Sequence, residues 1–332
     1  MSGKLGKIGV DGIFKGQGYG SMASVLLANN MDPEALRTNA VLGYDDWKIF
    51  DDAVLDIATL RRGAVQDLIG RGLVFNIGNT LGQTVLQYQD ASDLEEAELT
   101  MDGITKAPQD RPEFDINLLP LPIIHMDFSY SAREINASRQ SANSIPLDTT
   151  TAQIATRKVL EKAESILMTG ASTYTFGGGV IYGYQDSPVR NTGSLTASWD
   201  TATGEQILGD VLGMIQASIN ARHYGPWVLY IPTAYQTDMG EDFKSNSDKS
   251  IRQRLMEIDG LEDIKVNDFL TADNVVLVNM NTDTVRMVQG LPVQMVQWDT
   301  DGGFRINFKV LTVLVPQIRG DQADRSGIVH YT

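Results

Sequence analysis

The clearest periodic signal in the chain runs from Thr149 to about Thr169. Ile154, Val159, Ala163, Ile166 and Leu167 return to one stripe, while Arg157, Lys158, Glu161, Lys162 and Glu164 supply charges along the rest. That spacing predicts one long amphipathic helix, closed by Gly170. Ahead of it, Leu118 to Tyr130 reads as an extended run broken by Pro120 and Pro122. Further upstream, Trp47, Phe50, Val54, Ile57 and Leu60 recur at three- and four-residue steps, predicting a helix from Asp45 to Ile69 that Gly70 and Gly72 close. Between these lies a polar excursion, Leu73 to Arg111. Val74, Val85, Leu86 and Tyr88 mark strand pieces around the turn at 78–82, and the acids Asp90, Asp93, Glu95, Glu96 and Glu98 follow. A two-stranded hairpin with so little to bury is marginal by itself and calls for a partner surface, the obvious one being another copy of the chain.

Residues 1–43 are rich in glycine and thin in large side chains, apart from a short helical patch carrying Met22, Val25 and Leu26. Such a segment cannot offset its ordering entropy alone; it is either a flexible tail or an arm that orders against a neighbouring copy. The second half alternates element types. Glu205 to about Arg222 is a second amphipathic helix, and Pro226 to Pro232 reads as a buried strand. Short helices are expected near 234–239 and 250–258. Strands are expected at 264–266, 275–280, 285–289, 293–298 and 304–315, while Pro188 to Thr203 reads as connection. Strands and helices mix without a regular βαβ rhythm, so the fold class is α+β.

Charge narrows the function. The 332 residues hold 27 basic against 42 acidic side chains, a net charge of −15, whereas a protein that grips nucleic acid needs clustered lysine and arginine. A wall that surrounds nucleic acid without adhering to it suits that balance. The chain has no cysteine, which excludes disulfides and thiolate metal sites. No apolar run reaches the length of a membrane span, and the N-terminus lacks the apolar core of a signal peptide; a soluble protein made in the cytoplasm is expected.

Candidate chemistry is sparse. Gly16-Gln17-Gly18-Tyr19-Gly20 imitates a dinucleotide-binding turn, but its third glycine comes one position early and no βαβ unit follows. Gly177-Gly178-Gly179 lacks the lysine of a phosphate loop and reads as a turn. His125 and Asp127 share a strand face, yet His223 and His330 are too distant in sequence to give ligand spacing. The acidic cluster at 90–98 reads as a solvated face that meets basic residues on a neighbour. No catalytic, cofactor or metal residue is nominated, and the chain is read as no enzyme.

Several segments, in order, resemble the tailed-phage major capsid proteins and encapsulins that share the Hong Kong 97 (HK-97-type) fold. They are Tyr44-Asp45-Asp46-Trp47, the long hairpin, Leu119-Pro120-Leu121-Pro122-Ile123-Ile124 leading to Phe128-Ser129-Tyr130, the helix from Ala155 to Gly170, and Tyr224-Gly225-Pro226-Trp227. The resemblance covers about 44–318. It implies an N-terminal arm (1–43), an extended loop (73–118), a peripheral domain with the long spine helix (44–72, 119–203 and 299–332) and an apical domain (204–298). It further implies a homo-oligomeric shell of pentamers and hexamers that encloses double-stranded DNA without sequence-specific contact. Portal, scaffolding and decoration proteins are possible further partners in a virion assembled in the host cytoplasm. Subunit contacts are expected at Met22, Val25, Leu26, Trp47, Arg61, Arg62, Asp93, Glu95, Glu96, Glu98, Arg111 and Glu113, with the loop acids facing Arg61 or Arg62 of an adjacent copy. Lys106 lies where some relatives carry a cross-linking lysine; an ordinary surface lysine is the simpler reading. The segment before Trp47 is longer than in ordinary encapsulins, which favours a phage capsid over an encapsulin shell holding an enzyme cargo. A soluble hydrolase or binding protein is the rival from another class, and a stable monomer would be its mark.

Overall fold

The structure is a computed structural model that describes residues 63–78, 82–91, 99, 101, 111–112, 114–131, 134, 150–244, 248–301, 304–320 and 325–332. Its helices are α1 (Ala64–Gly70), α2 (Thr150–Thr169), α3 (Gly204–Asn220) and α4 (Ile251–Leu255). The strands begin with β1 (Val74–Asn76), β2 (Val85–Ala91), β3 (Phe114–Pro120), β4 (Ile124–Ser131), β5 (Ala171–Phe176), β6 (Gly179–Ile181) and β7 (Asn191–Gly193). They continue with β8 (Trp227–Pro232), β9 (Leu261–Asn267), β10 (Val275–Asn279), β11 (Val285–Thr300), β12 (Arg305–Ile318) and β13 (Ile328–Tyr331). The chain divides into two compact units.

The first unit takes in residues up to Thr84, Leu121–Ser165 and Met287–Val315. Its sheet has the order β1-β11-β12-β4. β12 pairs antiparallel with the whole of β4, from Arg305 opposite Ser131 to Thr312 opposite Ile124. β1 lies parallel to β11, with Val74 opposite Met287. The piece at Val74 is therefore no arm of a hairpin with Val85, as its apolar residue suggested; its partner sits more than two hundred positions along the chain. The strands expected at 285–289 and 293–298 are one continuous strand. Phe308 stacks on Phe128 at 5.0 Å and meets the edge of Tyr130 at 5.9 Å, a cross-strand aromatic cluster that fixes the register.

Helix α2 buries Ala152, Ala155, Thr156, Val159 and Ala163 in this unit. Small residues dominate that face. Ile154, placed on the buried stripe by spacing alone, is exposed instead, because the true seam runs one position along, through Ala155. Glu164 on the same helix accepts hydrogen bonds from the backbone N–H groups of Ala64 (2.6 Å) and Val65 (3.0 Å). Gly63, at the N-cap of α1, has no side chain to do this. A carboxylate from α2 thereby satisfies two of the orphan donors at the start of α1 and meets the positive end of its dipole.

The second unit takes in Val85–Pro120, Ile166–Arg286 and Pro316–Thr332. Its five-stranded sheet has the order β7-β13-β10-β8-β9. β10 runs antiparallel to β8 and β13, while β8 and β9, like β13 and β7, run parallel. Every residue of β8 and of β10 is buried, as the continuous apolar run at 227–232 leads one to expect of a strand covered on both faces. Helix α3 starts with a capping box between Thr203 and Gln206. It lays Ile207, Val211, Met214 and Ile215 against Trp227, Leu229, Ile231, Val275, Leu277 and Val329. The polar connection read at 188–203 supplies β7, and it is pinned to α3 by one buried carboxylate. Asp210 accepts from Trp199 Nε1 at 2.9 Å and from the Thr196 backbone N–H at 3.1 Å and hydroxyl at 2.5 Å.

Candidate assembly surfaces

β2 and β3 form the extended hairpin, from Val85 opposite Pro120 at the root to Ala91 opposite Phe114. Along β3 the burial changes in one direction. Leu119 and Pro120 are buried, Asn117 and Leu118 are half-buried, and Phe114, Asp115 and Ile116 are exposed. The hairpin is thus anchored at one end and leaves the body of the unit at the other. Phe114 and Ile116 are 59% and 56% exposed although both are strand-formers on one face, and Leu99 and Met101 are fully exposed.

A second hairpin, β5 with β6, lies against the root of the first. Gly179 permits this approach: a Cβ at that position would overlap the Leu118 carbonyl. Gly177 and Gly178 make the connecting turn with φ of 62° and 85°, where side chains other than glycine are strained. Five consecutive residues of β5, Ser172 to Phe176, are exposed, Tyr174 and Phe176 among them. The two hairpins together display half-exposed aromatic and aliphatic side chains, a pattern that marks an interaction surface.

Of the residues nominated from sequence, Arg111 is described and lies exposed. Met22, Val25, Leu26, Trp47, Arg61, Arg62, Asp93, Glu95, Glu96, Glu98 and Glu113 lie outside the described residues, as do Lys106 and the glycine run at 16–20. Phe114, Ile116, Tyr174 and Phe176 were not nominated. Their signal was present as period-two alternation in Phe114-Asp115-Ile116 and Tyr174-Thr175-Phe176, but alternation alone does not say which face meets a partner.

No cluster of three or more His, Asp or Glu side chains suited to a metal occurs among the described residues. His125 Nδ1 lies 3.4 Å from Asp127 on the exposed face of β4, and Asp127 also pairs with Lys309 at 3.3 Å; this is a solvated charge group. Asp273 accepts hydrogen bonds from Ser198 and Tyr235, which holds its carboxyl below the usual range and ties the 194–203 segment down a second time. No described helix is long and apolar enough to cross a membrane.

His330, in the centre of the β7-β13-β10 ladder, is 6% exposed. Its Nε2 faces Asn274 Oδ1 at 2.8 Å, and its Nδ1 accepts from Arg190 Nε at 3.4 Å. Burial, helped by the Arg190 charge, pushes its pKa down to about 4. An unfolded chain binds that proton near pH 6.5, so between these values the unfolded state holds more protons and stability rises with pH. The contribution is complete above about pH 6.5 and is lost as pH falls through about 4, on the order of 3 kcal/mol at most. Urea midpoints measured from pH 7 down to 4 are expected to fall less steeply for His330→Gln than for the wild type; parallel curves would remove His330 from the account.

A sequence family described as a family of unknown function (DUF6260) matches residues 36–331. The chain belongs to this family. No curated protein sequence matches it, whereas solved structures do. A virus-like particle from Pyrococcus furiosus is 19% identical, with a TM-score of 0.61 over 86% of this chain and 99% of that one. The capsid of Myoviridae phage XM1 is 13% identical, with a TM-score of 0.63 over 82% and 93%. The capsid of an empty GTA particle is 12% identical, with a TM-score of 0.58 over 93% and 97%. The DUF6260 chain therefore has the Hong Kong 97 capsid fold, an α+β architecture, as the segments from Tyr44 to Trp227 suggested.

Proposed function

We propose that this chain is the major capsid protein of a tailed phage. In this reading it assembles with itself into the pentamers and hexamers of an icosahedral head around double-stranded DNA. The observation that carries the reading is the extended hairpin, buried at its root and apolar where it is exposed, on a chain whose fold is otherwise seen in shells. The net charge of −15 suits a wall that contains DNA without holding it, and the role is mechanical rather than enzymatic. Assembly takes place in the host cytoplasm, and portal, scaffolding and decoration proteins are the further partners such a head would need.

Residues 1–43 then serve as the arm and 85–118, rather than all of 73–118, as the extended loop, since β1 at 74–76 pairs into the sheet of the first unit. The apical domain is built on 204–284 and takes in Asn191–Gly193 and Ile328–Tyr331, which pair into its sheet. Val285–Thr300 goes to the peripheral domain, because it pairs with β1. The acids at 93–98 are proposed to face Arg61 or Arg62 of a neighbour, a pairing that unchanged assembly after charge reversal at Glu95 and Glu96 would refute.

The match to a virus-like particle over 99% of its chain favours one second reading, an encapsulin-type shell around an enzyme cargo. Size-exclusion chromatography and electron microscopy of the purified protein test both. Closed shells or capsomer rings are expected, with enclosed nucleic acid or irregular, empty heads in the phage reading and a co-purifying enzyme in the other. A monodisperse monomer at tens of micromolar, with no particles even beside its neighbouring gene products, refutes both.

A further inference from the structure

We propose that β5 is an edge through which two copies of the chain pair, strand to strand and antiparallel, about a two-fold axis at Tyr174. The pairing rests on the shell reading only in taking a second copy as the partner. β5 lies in the second unit, and each residue from Ser172 to Phe176 is exposed. Its neighbour β6 meets it at Ala171, Thr175 and Phe176, and a bulge leaves Ser172, Thr173 and Tyr174 without a register partner. On its other side no described strand is hydrogen-bonded to it. An edge in that state is a template for a further strand.

Charge selects that strand. Among the described edge strands longer than three residues, β5 alone carries no charged residue: β2 has Asp90, β3 has Asp115, β4 has Asp127, and β9 has Glu262, Asp263 and Lys265. Charges so placed keep a sheet edge from pairing with its own copies, and β5 lacks them. For a chain of net charge −15, the approach of a second copy is opposed over much of the surface. A neutral strip is where two copies meet with least repulsion, whereas a charged peptide finds no counter-charge along it.

The run Ser172-Thr173-Tyr174-Thr175-Phe176 is also self-complementary. Pairing about Tyr174, the centre of the exposed run, sets Tyr174 opposite its own copy and Thr173 opposite Thr175 twice, the isologous arrangement of a two-fold contact. Side chains directly opposite share a face. The four threonines make one face; the other gathers both Tyr174 rings, with the two Phe176 rings diagonal to them and within aromatic reach. Tyr174 and Phe176 are 45% and 48% exposed in the single subunit, so both have surface left to cover. Five residues a side bury far less than the roughly 1,600 Å² of a standard interface. The pair is therefore weak alone and adds to the other contacts of a shell.

The chain has no cysteine, so single thiols report the pairing. Residues directly opposite in an antiparallel pair have Cα atoms about 4.5–5.5 Å apart, within the ~4.4–6.8 Å that a disulfide spans. In this register Thr173 lies about 8 Å from its own copy, beyond that range. The unassembled fraction of each full-length variant is oxidised with diamide, and dimers are followed by non-reducing electrophoresis. Tyr174→Cys is expected to dimerise about tenfold faster than Leu212→Cys, a control at a 47% exposed position on α3. Thr173→Cys and Thr175→Cys are expected to stay at the control rate separately and to cross-link when mixed. Adding Thr173→Lys and Thr175→Lys to Tyr174→Cys sets four like charges on one face of the pair; it is expected to return the rate to the control with the urea midpoint unchanged. Tyr174→Cys no faster than the control, Thr173→Cys linking to itself, a mixture that does not link, or a lysine variant that still links overturns the pairing. No arm of the test needs a shell. Particles without cross-linking refute the β5 pair alone, and cross-linking by a protein that never forms particles refutes the shell reading alone.

Discussion

Replacing Phe114 and Ile116 together by threonine is expected to abolish closed shells while leaving the subunit folded. Threonine keeps the strand preference of both positions, so the β2–β3 pairing survives, and because both side chains are more than half exposed the isolated subunit loses little. Surface changes of this kind stay within about 0.5 kcal/mol each. In the assembly the account differs. Fully burying a side chain of this size contributes about 1.5–3 kcal/mol, and roughly half of that surface is still exposed in the subunit. Covering the remainder with a neighbour gives on the order of 2 kcal/mol for the pair, which is about thirtyfold in each association constant at 1.4 kcal/mol per factor of ten. Every subunit of a closed shell makes this contact and receives it, so the loss compounds around each ring. Sedimentation velocity is expected to show the wild type in fast-moving particles and the double variant in slow species, with urea midpoints that coincide. Shells of normal size and yield from the variant would show that the exposed strip of the hairpin is not an assembly contact.

How much of this was legible in the sequence depends on the range of each interaction. Elements whose pattern closes on itself were readable. The long helix, the second amphipathic helix read from Glu205 to about Arg222 and the buried strand read at 226–232 announce themselves by periodicity and by an unbroken apolar run. Pairings between distant segments were not. β1 at 74–76 is three residues long and finds β11 more than two hundred positions later, and β13 at 328–331 inserts between β7 and β10; no local spacing encodes either choice. Ile154 shows the limit inside an element. Its spacing suits the apolar stripe of α2, but in the first two turns the buried seam is built from Ala152, Ala155 and Thr156 before it continues through Val159, Ala163, Ile166 and Leu167, so Ile154 is on the outside. The candidate surface followed the same rule. The charged residues of the loop drew notice by their number, whereas Phe114 and Ile116 became visible as surface only when the fold showed which end of the hairpin is anchored.

Asp210 is the position whose loss is expected to cost the subunit most. It interrupts the apolar stripe of α3 between Ile207 and Val211, and it is 5% exposed. Its carboxylate accepts from three donors of the 196–199 segment, the Thr196 N–H being shared between both oxygens; there Trp199 is 1% exposed and packs against Tyr235 with ring centroids 5.6 Å apart. Asp210→Ala leaves the Trp199 indole N–H buried without an acceptor, at about 1–3 kcal/mol. It also removes charge-assisted bonds to Thr196 that are roughly twice as strong as neutral ones. Thr196 lies nearer the surface and can turn to water, so part of its loss is recovered; a net cost of about 3 kcal/mol is expected. Asp210→Asn retains one acceptor oxygen of similar shape and is expected to lose about half as much, since the amide's other end is a donor facing donors. Urea unfolding followed by tryptophan fluorescence measures both variants. Amide exchange adds a readout that a uniform loss of stability does not produce: protection should fall first at 194–199, and at Asn191–Gly193 beside it, before the centre of β8 and β10. Equal stability of wild type and Asp210→Ala would mean that the carboxylate's own desolvation cancels these bonds, and the segment would then owe its position to the packing of Trp199 and to the hydrogen bond from Ser198 to Asp273.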